Sequence, residues 1–430
     1  MKKIVLSAMA AMTLGTVAVS AAQFYVDQNG QVFTTEGEGR KPLESKESSV
    51  FSKAMKLEFS GTHYFGLTSA DPKTTHPNAD LDASPAVKPT IGNDTALYAG
   101  RSTGFELRRN YVQVKGFFNE KDYWRVTMDA TKELASTKDY ASVFVKYAYL
   151  YLDNVLPATG VEFGIAHRPW IDYEEHNGWF YRSFNKVMIE EKGTATEAGV
   201  DLVNSADLGI NFKTKTDYVS SEIGFYNGEG YHADKDAANQ ENSSALSVEW
   251  RLTGHLIGSG TKVGKADRLK DTYAHLSTFG LISKNHKDDT VAIGGAGEYD
   301  RSFYGVHAVY NQPEFLIAAQ YITAEDKARD AIITDGKEYD AFSINAEIRP
   351  FKDWTIIGRY DDYAIDKVAK NNGGTSVSAE GTKMIAALAY KYNKHVAFIG
   401  SGKFIDEENA NGGDTGQSKD VFMFTTEVKW

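Results

Sequence analysis

Acidic residues crowd one stretch of this chain. Between positions 171 and 204 stand Asp172, Glu174, Glu175, Glu190, Glu191, Glu197 and Asp201, against only Arg182, Lys186 and Lys192. Upstream, Arg109, Lys115 and Arg125 fall on one face of alternating segments, with Asp129 on that face and Arg168 just ahead of the acidic stretch. Carboxylates set across a water-filled gap from guanidinium and ammonium groups create a transverse field. Such a field orders water and dipolar solutes, and clusters of one sign set ion preference. The chemistry expected here is passive diffusion past mixed charges with poor ion selectivity, with Arg109, Lys115, Arg125, Asp129, Arg168, Asp172, Glu174, Glu175 and Arg182 lining a constriction. The plainer alternative for any one of them is a solvated charge or a structural ion pair.

Bond-making chemistry has less support. The stretch GSGTKVGKA, 258 to 266, imitates a phosphate-binding loop, but Ala266 stands where Ser or Thr would hold a magnesium ion, and it reads as a turn. The histidines show no H-E-x-x-H spacing, no G-x-S-x-G elbow occurs, and the chain has no cysteine. No catalytic residue, metal ligand or cofactor is expected. Trp170, Trp179, Phe180 and Tyr181 lie within or beside the acidic stretch, where they either pack it against a wall or offer a ring-binding slide.

Such charges need a frame. Large apolar residues alternate with polar ones in sixteen segments, near 55–68, 104–118, 122–131, 143–153, 160–168, 205–213, 217–227, 243–253, 272–282, 301–311, 314–323, 339–349, 353–363, 382–392, 395–404 and 420–430. In one of them Trp124, Val126, Met128 and Ala130 alternate with Tyr123, Arg125, Thr127 and Asp129, so one face is apolar and the other charged. Links after the even-numbered segments are short and those after the odd-numbered ones long, the asymmetry of outer-membrane barrels. One link breaks the rule: TGHLIGSGTKVGKADRLKD, after the eighth segment, is long where a short turn is due. An even strand count lets the last strand pair with the first, so no edge is left open in lipid, and sixteen strands enclose water. The fold class is all-β, a transmembrane antiparallel barrel. Trp124, Trp250, Trp354 and Trp430 suit the aromatic girdles at its rims.

Residues 1–22 read as a signal peptide: Lys2 and Lys3, an apolar run, then small residues at Ser20, Ala21 and Ala22. Residues 23–53 read as a periplasmic extension in which Asn29 and Gly30 suit a two-residue hairpin turn, and 54–430 as the barrel. The location is then the bacterial outer membrane, with lipid and lipopolysaccharide as surroundings. A net charge of -11 argues against a nucleic-acid partner.

GFELRRNYVQVKGFF (104–118), DYWRVTMDA (122–130) and GVEFGIAHRPWIDYEE (160–175) resemble the phosphate-selective porin O/P group of outer-membrane porins. The resemblance implies a homotrimeric passive channel for small hydrophilic solutes whose third loop, between strands five and six, folds into the lumen and narrows it. No dense lysine series accompanies it, so phosphate selectivity does not carry over with the likeness. The ending VFMFTTEVKW, with Phe422, Phe424, Val428 and Trp430 facing lipid, resembles the signal read by the barrel assembly machinery. The competing reading is a barrel that serves as an adhesin or enzyme platform through its loops.

Overall fold

The structure, a computed structural model, describes residues 25–26, 32–33, 37–42, 56–74, 102–131, 142–191, 198–228, 230–231, 246–258, 266–287, 298–328, 335–369, 378–409 and 417–430. The expected signal peptide, 1–22, lies outside them. The chain divides into two compact units, Met1–Ala54 and Met55–Trp430. In the first, Tyr25–Val26 pairs antiparallel with both Val32–Phe33 and Lys41–Pro42. Val26 lies opposite Val32; the turn suggested at Asn29 and Gly30 lies outside the described residues.

The second unit is a closed barrel of sixteen antiparallel strands. Its strands are β1 (Lys56–Thr74), β2 (Ser102–Phe117), β3 (Tyr123–Thr131), β4 (Ser142–Leu156), β5 (Thr159–His167), β6 (Ala206–Lys215), β7 (Val219–Tyr226) and β8 (Ser247–Ile257). They continue as β9 (Tyr273–Lys287), β10 (Glu298–Gln312), β11 (Phe315–Ala328), β12 (Asp335–Phe351), β13 (Trp354–Ala369), β14 (Ser378–Lys391), β15 (Val396–Asn409) and β16 (Gln417–Lys429). Each coincides with one alternating segment, and several run further at the long-loop end. A 17-residue strand such as β12 spans roughly 56 Å, or about 40 Å when tilted, against an apolar band of about 25 Å. The surplus carries outward charges such as Lys327, Glu338 and Asp340, which hid its strand character in the sequence.

Side chains sort as the pleat requires. Phe59, Phe105, Phe163, Leu252, Ile317, Ile348 and Phe424 stand exposed on the outside, an apolar surface of the kind that faces lipid. Closure comes from β16 on β1, with Lys429 opposite Thr62. Trp430 extends it by exchanging backbone hydrogen bonds with Gly61 at 3.0 and 3.1 Å. Its indole Nε1 donates to His63 Nε2 at 2.9 Å, and the ring covers Gly61, where a Cβ would stand 2.5 Å from it.

The inner face is not polar and charged throughout. Phe279, Leu281, Phe303, Ile322, Ile357, Ile385 and Met423 point inward and are buried in one apolar cluster that includes loop residues. Runs such as VFMF are apolar on both faces, so alternation could not show that Val421 and Met423 face a packed interior while Phe422 and Phe424 face lipid.

Candidate functional site

The loop from β5 to β6 begins with helix α1, Pro169–Asn177. Pro169 suits the first helical position, where its missing N–H costs nothing. Asp172 in the first turn and His176 in the last complement the helix dipole. The helix stops at Gly178, whose N–H donates to Glu174 O at 2.8 Å. A side chain there would meet His307 Nε2 at 2.9 Å, so the close approach to the wall requires glycine.

From α1 onward the loop lies inside the barrel, fastened to inward-facing residues of β9 to β14. Trp170 stacks on Phe279 with centroids 3.6 Å apart and planes 3° from parallel. Tyr173 Oη meets His275 Nδ1 at 2.8 Å, and Gln320 Nε2 donates to Glu174 Oε1 at 2.6 Å. Asn345 Nδ2 donates to Gly178 O and Arg359 Nη1 to Lys186 O, both at 2.9 Å. Lys383 pairs with Glu191 and donates to Ala198 O at 2.7 Å. Trp179, Phe184, Met188 and Ile189 are buried among these contacts. Each such side chain withdraws about 1.5–3 kcal/mol of apolar surface from water, so the loop is a packed element of the lumen.

Beside the loop remains a cavity of about 850 Å³ reaching towards the short-turn end. Its cations are Lys115, Arg125, Lys146, Arg182 and Lys213 on the strands and loop, and Arg268, Lys352, Lys391, Lys394 and Lys429 near the short turns. The acids are Glu162, Asp172, Glu175, Asp353 and Glu427. Ten cations thus face five carboxylates, in a chain whose net charge is -11. Tyrosines alternate with the cations: the Arg125 guanidinium lies 4.6 Å from the Tyr147 ring, Lys115 4.6 Å from Tyr123 and Lys146 4.8 Å from Tyr111. Stacking of this kind fixes the direction of a charge without neutralising it.

On the loop edge the charges are paired. Arg182 binds Glu175 and Glu190, its Nη2 donating to Glu190 Oε1 at 2.7 Å. Burial pushes the Glu190 carboxyl up, but Arg182 outweighs it and brings the pKa down to about 2. Asp172 is likewise held well below the usual carboxylate range, its burial outweighed by Lys213, 3.3 Å away, and then by His167 and His176. Glu174 goes the other way: burial raises its pKa to about 8, and its Oε2 has no hydrogen-bond partner. A neutral carboxylic acid therefore sits in the loop's packed side at neutral pH.

Of the nine residues expected to line a constriction, Lys115, Arg125, Asp172, Glu175 and Arg182 meet on the cavity. Four do not. Arg168 is buried against Asp207, at 2.7 Å, and Glu249, fastening the start of the loop. Asp129 is buried and accepts from the Asn110 N–H at 2.9 Å, with Arg109 3.9 Å away. Glu174 faces the wall. Charges on the inner wall further along also sit in pairs: Arg251 with Glu222 at 3.0 Å, Arg349 with Glu347 at 2.9 Å and Arg359 with Asp361 at 2.7 Å.

Sequence reasoning missed Lys146 and Tyr147. In β4 strict alternation sends one of two neighbours outward, but the register slips between Thr127 and Met128 of β3, and both are buried inside. Lys213 was missed because its acidic partners, Glu162, Asp172 and Glu222, come from three other elements. Trp170 packs the loop against the wall, whereas Trp179, Phe180 and Tyr181 both pack the loop and border the cavity.

No family model and no curated protein matches the chain. Solved structures do. An anion-selective porin from Comamonas acidovorans is similar at 10% identity, with a TM-score of 0.55 over 87% of this chain and 99% of its own. The outer membrane channel DcaP of Acinetobacter baumannii is similar at 9% identity, with a TM-score of 0.51 over 87% and 97%. OmpT, an outer membrane protein of Vibrio cholerae in its trimer form, is similar at 14% identity, with a TM-score of 0.50 over 87% and 99%. At these identities the likeness is one of fold: the closed sixteen-stranded barrel of multi-pass outer-membrane porins.

Proposed function

We propose that this protein is a passive outer-membrane channel for small hydrophilic solutes, narrowed by the loop between β5 and β6 and favouring anions. The observation that carries the reading is the cavity lining, ten cations to five carboxylates with much of the acid already tied to a cation. Arg182, Lys213 and Arg268 are themselves paired with acids, so the preference comes from the excess of cations over carboxylates along the wall that an anion meets. The constriction in this reading is Arg125, Lys115 and Lys146 on the strands facing Asp172, Glu175 and Arg182 on the loop.

Kinship with the phosphate-selective O/P group stays part of the proposal, supported by the residues of β2, β3 and β5 that resemble it. Phosphate is then one anion among those admitted. The trimer form described for the Vibrio cholerae protein supports a homotrimer here. Phe422, Phe424, Val428 and Trp430 serve recognition by the assembly machinery, supported by their outward placement on the closing strand. The proposal assigns no catalytic step. Purified, folded protein in a planar bilayer should give stepwise current, and removing residues 178–200 should raise the step size. Silence from folded protein would refute the channel, and an unchanged step would refute the loop's part in it.

A further inference from the structure

The link between β8 and β9 is out of pattern, since it joins strands at the short-turn end yet runs from position 258 to 272, where the β10–β11 and β12–β13 links take two residues. Its described part, 266–272, is a self-capped turn. Asp267 Oδ1 accepts the Leu269 N–H at 3.0 Å, Asp271 Oδ2 accepts the Asp267 N–H at 2.7 Å, and Asp267 O accepts from Lys270 and Asp271. The turn is pinned to the inner wall. Asn311 Nδ2 donates to Arg268 O at 3.0 Å and to Asp271 O at 2.7 Å, and Arg349 Nη1 reaches Arg268 O at 3.2 Å.

From this anchored backbone the Arg268 side chain reaches the inward loop. Its Nη1 donates to Tyr181 Oη at 3.0 Å and pairs with Glu347 at 2.6 Å. The guanidinium lies 4.2 Å from the Phe180 ring centroid and 5.2 Å from that of Tyr181. Phe180 and Ala266 also pack on the same small apolar cluster around Tyr273 and Leu316. Arg268 remains 23% exposed, and both it and Leu269 line the cavity, whereas Glu347 is buried away from it. The two ends of the lumen therefore meet through one side chain.

We infer that the turn at 266–272 is a second selectivity element, entering the lumen from the short-turn end, and that Arg268 is its positioning residue. It holds Phe180 and Tyr181 of the loop in place by a planar stack, and it turns the positive end of its ion pair with the buried Glu347 to the floor of the cavity. A Lys at this position supplies the charge but not the planar fork, which separates the two roles. The inference rests on the channel reading, and the experiment keeps the two apart.

Arg268→Gln and Arg268→Lys are compared with wild type, each first shown to be a folded barrel by heat-shifted gel mobility. In planar bilayers with a potassium chloride gradient, Arg268→Gln should lower the anion-to-cation permeability ratio about twofold and raise brief closing events about tenfold. Arg268→Lys should keep the ratio and still raise the closures. In parallel, hydrogen exchange at the Phe184 and Asn185 amides, which donate to Tyr181 O, should quicken about tenfold in both variants. A ratio, closure rate and exchange rate all unchanged in Arg268→Gln would overturn the inference. If wild type carries no current, the channel reading falls by itself, and unchanged exchange would then overturn the turn's hold on the loop.

Discussion

Replacing Glu174 by Gln tests whether a neutral carboxyl helps to seat the inward loop. Burial raises the Glu174 pKa from 4.5 to about 8, against the opposing pull of Arg359. A group that holds its proton more tightly in the seated loop than in a released one stabilises the seated state fully below the released value near 4.5. That contribution is lost as pH rises through about 8. At about 1.36 kcal/mol per pH unit, the buried carboxyl weakens the seated loop by roughly 3 kcal/mol at pH 7 and on the order of 5 kcal/mol above pH 8. Glu190, held down at about 2 by Arg182 against its burial, is silent over this range. Gln is close in shape to the protonated acid and does not ionise. Loop-release events, read as current flicker in bilayers, should therefore climb between pH 5 and 9 in wild type and stay at the low-pH level in the Glu174→Gln variant. An equal climb in the variant, or a wild type indifferent to pH, would refute the reasoning.

Other expectations follow from the same contacts. Trp170→Ala removes a ring stacked at 3.6 Å on Phe279 and should cost the seated loop about 3–5 kcal/mol, visible as faster proteolysis within 178–191 while the barrel stays heat-resistant. Arg125→Gln removes a cavity cation and should lower the anion-to-cation permeability ratio about twofold, with single-channel current little changed. Deleting Trp430 removes the ring over Gly61 and the bond to His63; the yield of inserted barrel in cells should fall, while conductance per inserted channel stays the same.

The fold was legible because a membrane barrel repeats one instruction, apolar residues outward on alternate positions, sixteen times over. Strand ends were less so, since beyond the lipid band outward residues such as Lys327 and Glu338 are charged and alternation fades. The candidate site was half legible. Arg125 and Lys115 follow the alternation, and the acids of α1 announce themselves by crowding. Lys146 was hidden by a bulge, which breaks the period that sequence reading depends on. Glu174 and Asp172 are two positions apart, yet one faces the packed wall and the other the cavity, a difference set by the helix and its partners. Arg268 left a trace in the overlong link after β8, but its stack on Phe180 joins segments far apart in the chain and needed the closed barrel to appear.

The central claim is that a chain of net charge -11 encloses a lumen that prefers anions. Zero-current potential across a planar bilayer holding this protein, with potassium chloride tenfold more concentrated on one side, tests it directly. The expected potential has the sign of chloride preference and is reduced in the Arg125→Gln variant. A potential of the opposite sign, showing potassium to be preferred, would contradict it.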